Sequence, residues 1–305
     1  MSTILCAGEI LWDVLPRGEF IGGAPFNVAG HAARLGARAL LAARLGDDER
    51  GQRALEAAQA LGIDTSMVQI DPQLPTGAAR AVLDASGSAR YEFLSPAAWD
   101  ALEATPQLLA AAAACDAFVY GTLAQRDRRS RAAIMQLAAA ARWRVFDPNL
   151  RVPHIDRELC ETGLRGAALV KINEEECRVF ADWFGGDATP ESLWATLSAR
   201  FGVSALCVTL GAAGSQLHWL GHWHQQAALP TQVSDTVGAG DSFLAMLVCE
   251  LLGGSEAQAA LHRASALASF VASRPGAVPP YDAAGAGGSD IAAADYCGEV
   301  APLAH

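Results

Sequence analysis

Between residues 235 and 243 the chain reads Asp235-Thr236-Val237-Gly238-Ala239-Gly240-Asp241-Ser242-Phe243, then turns apolar over 244–252. Small residues ahead of a helix let several backbone N–H groups converge at the positive end of its dipole, which suits a phosphoryl group. A carboxylate at that point would repel the anion, so Asp241 has a different use there. It can take the proton of a hydroxyl attacking beside the amides. The competing reading is an N-capping aspartate after a glycine turn, and on Gly-Ala-Gly-Asp alone the two weigh equally.

Three more turns of this kind follow strand-like segments. Val208-Thr209-Leu210-Gly211-Ala212-Ala213-Gly214 is one, and Lys171-Ile172-Asn173-Glu174-Glu175-Glu176 puts an Asn-x-x-Glu at a strand-to-helix junction. The third, Ile21-Gly22-Gly23-Ala24-Pro25-Phe26-Asn27, opens a helix and is preceded by Trp12-Asp13. No Gly-Lys-Ser/Thr ends a glycine loop, so a Walker-type P-loop is excluded, and no Gly-x-Gly-x-x-Gly follows the first strand as a dinucleotide site requires. Lys171 is the only lysine, as well suited to neutralising Glu174, Glu175 and Glu176 as to touching a nucleotide. His218, His222 and His224 read as solvent-facing residues of a hairpin turning at Gly221, because no acidic or cysteine ligand accompanies them as a zinc site would need.

Such turns need a scaffold, and the remaining sequence supplies one. Segments 4–10, 39–45, 117–120, 143–147, 168–172 and 205–210 are short, apolar and end in or near Gly, Asp or Asn, as buried strands do. Segments 27–35, 49–61, 129–141, 174–180 and 190–201 carry helical spacing, and Gly36, Gly62 and Gly202 stop three of them. This alternation predicts a mostly parallel sheet with helices on both faces, binding its ligand beyond the carboxyl ends of the strands. Residues 76–95 break the pattern. They predict a hairpin, 78–84 and 89–94 around Ser86-Gly87-Ser88, which with 11–20 makes a small second sheet or else extends the edge of the main one.

The 305 residues, 51% hydrophobic, suffice for one large α/β core, here 1–282, followed by an Ala/Gly-rich tail over 283–305. No apolar run reaches membrane-spanning length and the N-terminus lacks a basic leader, so the expected location is cytoplasmic. Seven scattered cysteines read as reduced core thiols, and a net charge of −11 argues against nucleic acid and anionic membranes.

In this order the four turns resemble the phosphofructokinase-B (ribokinase-like) family of carbohydrate kinases, from about residue 4 to 281. Gly8-Glu9-Ile10-Leu11-Trp12-Asp13, Pro96-Ala97-Ala98-Trp99-Asp100, Gly121-Thr122-Leu123-Ala124-Gln125-Arg126, Asp147-Pro148-Asn149-Leu150-Arg151 and Arg274-Pro275-Gly276-Ala277 are similar to its fructokinase-like subgroup. The resemblance implies a three-layer α/β fold with a small β lid, formed by 11–20 and 76–95. Asp241 would be the catalytic base within the signature Gly238, Ala239, Gly240 and Asp241, with the amides of Ala239, Gly240 and Asp241 forming an anion hole. Asp13, Gly22, Gly23 and Asn27 would hold a sugar's hydroxyls, Gln125 would touch the sugar, and Arg151 would sit near the transferring phosphate or an acidic substituent. Asn173 and Glu176 would organise Mg²⁺, through water, and the ATP phosphates. Thr209, Gly211 and Gly214 would line the nucleotide, and Asp235 and Val237 would lend oxygens to a monovalent cation such as K⁺.

Two positions depart from the family pattern: Met246 stands where glycine is usual, and Ser265 where many members carry an asparagine near adenine. Trp12 and Trp99 would either stack on a sugar or form lid core, and lids in this family often pair into dimers. The expected reaction is ATP-dependent phosphorylation of a primary hydroxyl of D-fructose. The other acceptors are 2-keto-3-deoxygluconate, ribose and nucleosides, and the different-class alternative is a non-catalytic sugar-binding regulator.

Overall fold

The computed structural model describes residues 1–16, 18–83 and 89–281; the turn around Ser86-Gly87-Ser88 and the tail 283–305 lie outside them. In chain order the strands are β1 (Thr3–Ala7), β2 (Leu11–Leu15), β3 (Gly18–Gly22), β4 (Arg38–Ala42), β5 (Arg44–Gly46), β6 (Gln69–Asp71) and β7 (Gly77–Leu83). Then come β8 (Ala89–Phe93), β9 (Ala117–Tyr120), β10 (Arg144–Phe146), β11 (Leu169–Asn173), β12 (Ala205–Thr209), β13 (Ser215–Trp219) and β14 (His222–Gln226). The helices are α1 (Ala24–Arg34), α2 (Glu49–Ala60), α3 (Pro106–Ala114), α4 (Arg128–Ala140), α5 (Arg157–Leu164), α6 (Glu174–Phe184), α7 (Pro190–Phe201), α8 (Ala239–Leu252) and α9 (Ala257–Ala272).

The main sheet has the order β14-β13-β12-β11-β10-β9-β1-β4, parallel from β12 through to β4 and antiparallel at the β13 and β14 hairpin. Its parallel strands bury both faces, so successive side chains enter different cores. Ile4 and Cys6 of β1, Val119 of β9 and Cys207 of β12 face the core made with α1, α2, α8 and α9. Leu5, Phe118, Tyr120, Leu206 and Val208 face the core made with α3, α4, α5, α6 and α7. This is the expected three-layer arrangement. The helices start on predictable caps: Asp156 accepts Leu159 N–H, Thr189 accepts Ser192 N–H ahead of Pro190, and α7 stops at Gly202 in the left-handed region (φ 70°).

The excursion predicted at 76–95 belongs to a separate four-stranded sheet, β3-β2-β7-β8, and does not extend the main one. Strands β2 and β7 pair in parallel, while β3 and β8 flank them antiparallel. Trp12 and Trp99 are core residues of this region: Trp12 donates Nε1–H to Arg50 O (3.0 Å), and Trp99 lies buried against Gly77 with the Arg126 guanidinium over its ring. Neither lines the cleft, so sugar stacking by these rings is corrected to lid packing. Among the described residues no helix is long and apolar enough to cross a membrane.

Candidate active site

A cleft of about 1210 Å³ runs along the carboxyl ends of β1, β9, β10, β11 and β12, under the lid sheet, and reaches the N-terminus of α8. Its chemistry centres on the start of α8. Gly238 is in the left-handed region (φ 77°), and a methyl there would collide with the Ala277 carbonyl, so glycine is required twice over. Ser242 N–H donates back to Gly238 O (2.8 Å), which starts the helix and leaves Ala239 and Gly240 on the cleft wall.

Asp241, in the first turn, is buried and accepts Asn27 Nδ2–H at 2.8 Å. Burial raises its pKa above the usual carboxylate range; the Asn27 hydrogen bond opposes this, the Asp147 charge adds to it, and Lys171 and Arg151 pull it back. Beneath the turn, Lys171 comes from the α8-facing side of β11. Its Nζ donates to Asp147 Oδ2 (3.0 Å), with both side chains buried, and a methyl on Gly240 would lie 3.0 Å from that nitrogen. Burial works against the ammonium, but Asp147, Glu176 and Asp241 outweigh it and raise its pKa. Lys171 therefore pairs with Asp147, while Glu174 pairs with Arg178.

At the lid end, Asp13, Gly22, Gly23, Asn27 and Arg151 line the same cleft. Gly23 (φ 114°) lies so close to the Glu9 carbonyl that no side chain fits. Burial pushes the Asp13 carboxyl up to about 6 and that of Glu9 to about 7, with Arg151 acting in the opposite direction on both. Glu9 Oε1 accepts Ala24 N–H (3.3 Å) at the first turn of α1. At the other end, Asn173, Thr209, Gly211, Gly214 and Ser265 line the wall, and Ser265 Oγ is 3.2 Å from Ser215 Oγ. Met246 is buried away from this cleft.

Three expected residues stand elsewhere. Gln125 is buried and donates Nε2–H to Gly121 O (2.6 Å), so the cleft is lined by Gly121 and Thr122 instead. Glu176 spends both oxygens on backbone, Oε1 on Leu150 N–H (2.8 Å) and Oε2 on Asn173 N–H (2.9 Å), closing a capping box with Asn173. The carboxylates that α6 does present to the cleft are Glu174 and Glu175. Asp235 accepts Val237 N–H (3.0 Å) and stands behind the wall, whereas Val237 lines it.

Glu9, Asp147 and Phe93 also line the cleft and were not singled out in the sequence. The signal for the two carboxylates was position, because each lies at the carboxyl end of a strand of the parallel sheet. Asp147 Oδ1 is buried and accepts no hydrogen bond, so a hydrated divalent ion near Asn173, Glu174 and Glu175 would satisfy it. Among the described residues no group of three His, Cys, Asp or Glu would hold a metal by protein ligands alone. His222 is exposed as expected, but His218 is not; it is buried, stacked on Trp194 with centroids 3.8 Å apart.

An amide-rich helix start, a carboxylate beside it, and a sheet that lids the opposite end define a phosphotransferase of the three-layer α/β type. Residues 16–284 match the pfkB family carbohydrate kinases, and the chain belongs to that family. It is 31% identical over 264 residues to a fructokinase of Klebsiella pneumoniae, covering 82% of this chain and 84% of the relative. It is also 28% identical over 271 residues to a 2-dehydro-3-deoxygluconokinase of Thermoproteus tenax (83% and 79%). The fold is similar to that of Xylella fastidiosa fructokinase with bound ATP (TM-score 0.78, 24% identity, 90% of this chain and 94% of that one). A double mutant of Vibrio cholerae O395 fructokinase, bound to fructose, ADP and a potassium ion, superposes with a TM-score of 0.77 at 25% identity (91% and 94%).

Proposed function

We propose that the protein transfers the γ-phosphoryl group of ATP to a primary hydroxyl of D-fructose. The observation that carries this reading is Asp241, held by Asn27 beside the Gly238-Ala239-Gly240 turn, at the junction of the cleft's two ends. Asp241 accepts the hydroxyl proton, and its raised pKa makes it a better base than a free carboxylate. The amides of Ala239, Gly240 and Asp241 hold the transferring group, with the Lys171 ammonium behind Gly240 adding positive charge. Asp147, Asn173, Glu174 and Glu175 would hold a hydrated Mg²⁺, which would supply charge neutralisation to the ATP phosphates. Thr209, Gly211, Gly214 and Ser265 take the nucleoside end, and the Asp235 and Val237 loop would hold a monovalent cation such as K⁺.

The acceptor end argues for a neutral polyol. Asp13, and above about pH 7 also Glu9, set carboxylates against the single Arg151, so an acidic sugar meets repulsion there that fructose does not. The second reading, 2-keto-3-deoxygluconate, rests on Arg151 itself, an exposed cation at the cleft wall. A non-catalytic sugar binder has no use for Asp241. Among the described residues the six cysteines are unpaired and all but Cys249 are buried, which fits a cytoplasmic setting, and pairing of two chains through the lid sheet is part of the same proposal. A coupled assay over fructose, ribose, 2-keto-3-deoxygluconate and a nucleoside tests the reading. Fructose should lead by about 1–3 kcal/mol in kcat/KM; a faster keto-acid or ribose removes the fructose assignment and leaves the kinase.

A further inference from the structure

One buried titratable side chain close to the site has no part in the reaction described above. His31 lies one turn beyond Asn27 on the same face of α1 and has no exposed surface. Both ring nitrogens are partnered: Nδ1 is 2.8 Å from Tyr281 Oη and Nε2 is 2.9 Å from the Ala277 carbonyl. A carbonyl can only accept, so Nε2 carries the proton and donates to Ala277, and Nδ1 accepts from the Tyr281 hydroxyl. Burial drives the imidazole pKa down to about 4, which keeps this neutral tautomer in place across the neutral range. Tyr281 stacks on the ring, and Arg34, three residues on from His31, lies 5.6 Å over Tyr281.

The carbonyl that His31 holds is the one against which Gly238 rests, since a methyl on Gly238 would strike Ala277 O and Cα. Helix α1 therefore grips the start of α8 from two sides. Asn27 takes the carboxylate of Asp241, and His31, four residues later, takes the backbone behind Gly238. An apolar side chain would fill the same space without fixing that carbonyl.

We propose that His31 is a positioning residue for phosphoryl transfer: by donating to the Ala277 carbonyl it holds residues 274–281 against Gly238 and keeps the anion-binding turn in register with Asp241. The inference rests on the reading above, in which that turn binds the transferring group. Three full-length variants test it, each assayed with whichever sugar the wild type turns over fastest, so that an error in the acceptor leaves the test intact. In His31→Gln the amide nitrogen replaces Nε2 and can donate to Ala277. His31→Asn reaches only as far as Nδ1 and serves Tyr281 alone, and His31→Leu serves neither.

The Asn and Leu variants should lose about 10–100-fold in kcat with both KM values within about threefold of wild type, while Gln stays within about fivefold in kcat. Equal kcat for Gln and Asn overturns the proposal, as does a folded Leu variant within about threefold of wild type, or a loss confined to KM or to thermal midpoint. If the Leu variant does not fold, the Gln and Asn pair decides alone. A wild type that phosphorylates no sugar removes the transfer reading and this proposal with it.

Discussion

Glu9 carries the sharpest quantitative consequence of the cleft. Its carboxyl is buried, and loss of solvation raises its pKa from the ordinary 4.5 to about 7 in the folded chain. Between those values the folded protein keeps a proton that the unfolded chain releases, so stability falls as pH rises through the window and levels off above it. Each pH unit inside the window is worth about 1.4 kcal/mol, and the window spans roughly two and a half units, giving a loss of about 3 kcal/mol at pH 8 relative to pH 4. Glu9→Gln cannot ionise, yet it keeps an acceptor for Ala24 N–H. Urea unfolding of wild type and variant from pH 4.5 to 8 should therefore show the variant gaining on the wild type by about 3 kcal/mol across the range, with nearly all the change below pH 7.5. A stability difference that does not vary with pH would refute the reasoning.

Asp241→Asn keeps size and polarity but cannot take a proton; kcat should fall roughly 10²–10⁴-fold with sugar and ATP KM nearly retained, and a variant holding a tenth of wild-type kcat would remove Asp241 as base. Lys171→Met leaves Asp147 buried without its cation, which should lower stability by about 3–5 kcal/mol in urea unfolding. A loss under about 1 kcal/mol would show that Asp147 is otherwise satisfied. Potassium chloride should raise kcat above its value in tetramethylammonium chloride at matched ionic strength, and equal rates would count against a cation at the Asp235 and Val237 loop.

The sheet was legible because its strands are short, apolar and closed by turn residues, and the cleft was legible because four of those turns are built for close backbone approach. Helices α3, α5 and α9 were not marked; α9 packs its apolar face between α8 and the sheet edge, and Glu256 at its N-cap makes no side-chain capping hydrogen bond, so its boundary carries little local signal. Glu176 shows where reading by position fails. Asn173-x-x-Glu176 is also the signature of a capping box, and the backbone had first claim on the carboxylate. Gln125 was lost the same way, to Gly121 O. Whether a polar side chain at a strand end turns into the cleft or back onto the chain depends on which amides lie beside it, and those come from distant segments.

The cleft's two ends are written in different stretches of the chain. Apart from the base Asp241, the residues proposed to meet the acceptor precede residue 152, and apart from Asp147 those proposed to meet the nucleotide and its Mg²⁺ follow residue 170. The hydrogen bond from Asn27 to Asp241 ties the two together across 214 positions, and Lys171 on Asp147 and His31 on Ala277 tie them again. Acceptor preference can therefore drift through changes in the first half without disturbing the handling of ATP, and the nucleotide end can be inherited intact by enzymes for different sugars. The same division times the appearance of activity during synthesis. Every residue of the acceptor's seat except the base leaves the ribosome ahead of α8, and no chain shorter than the one that includes α8 has the base to use it.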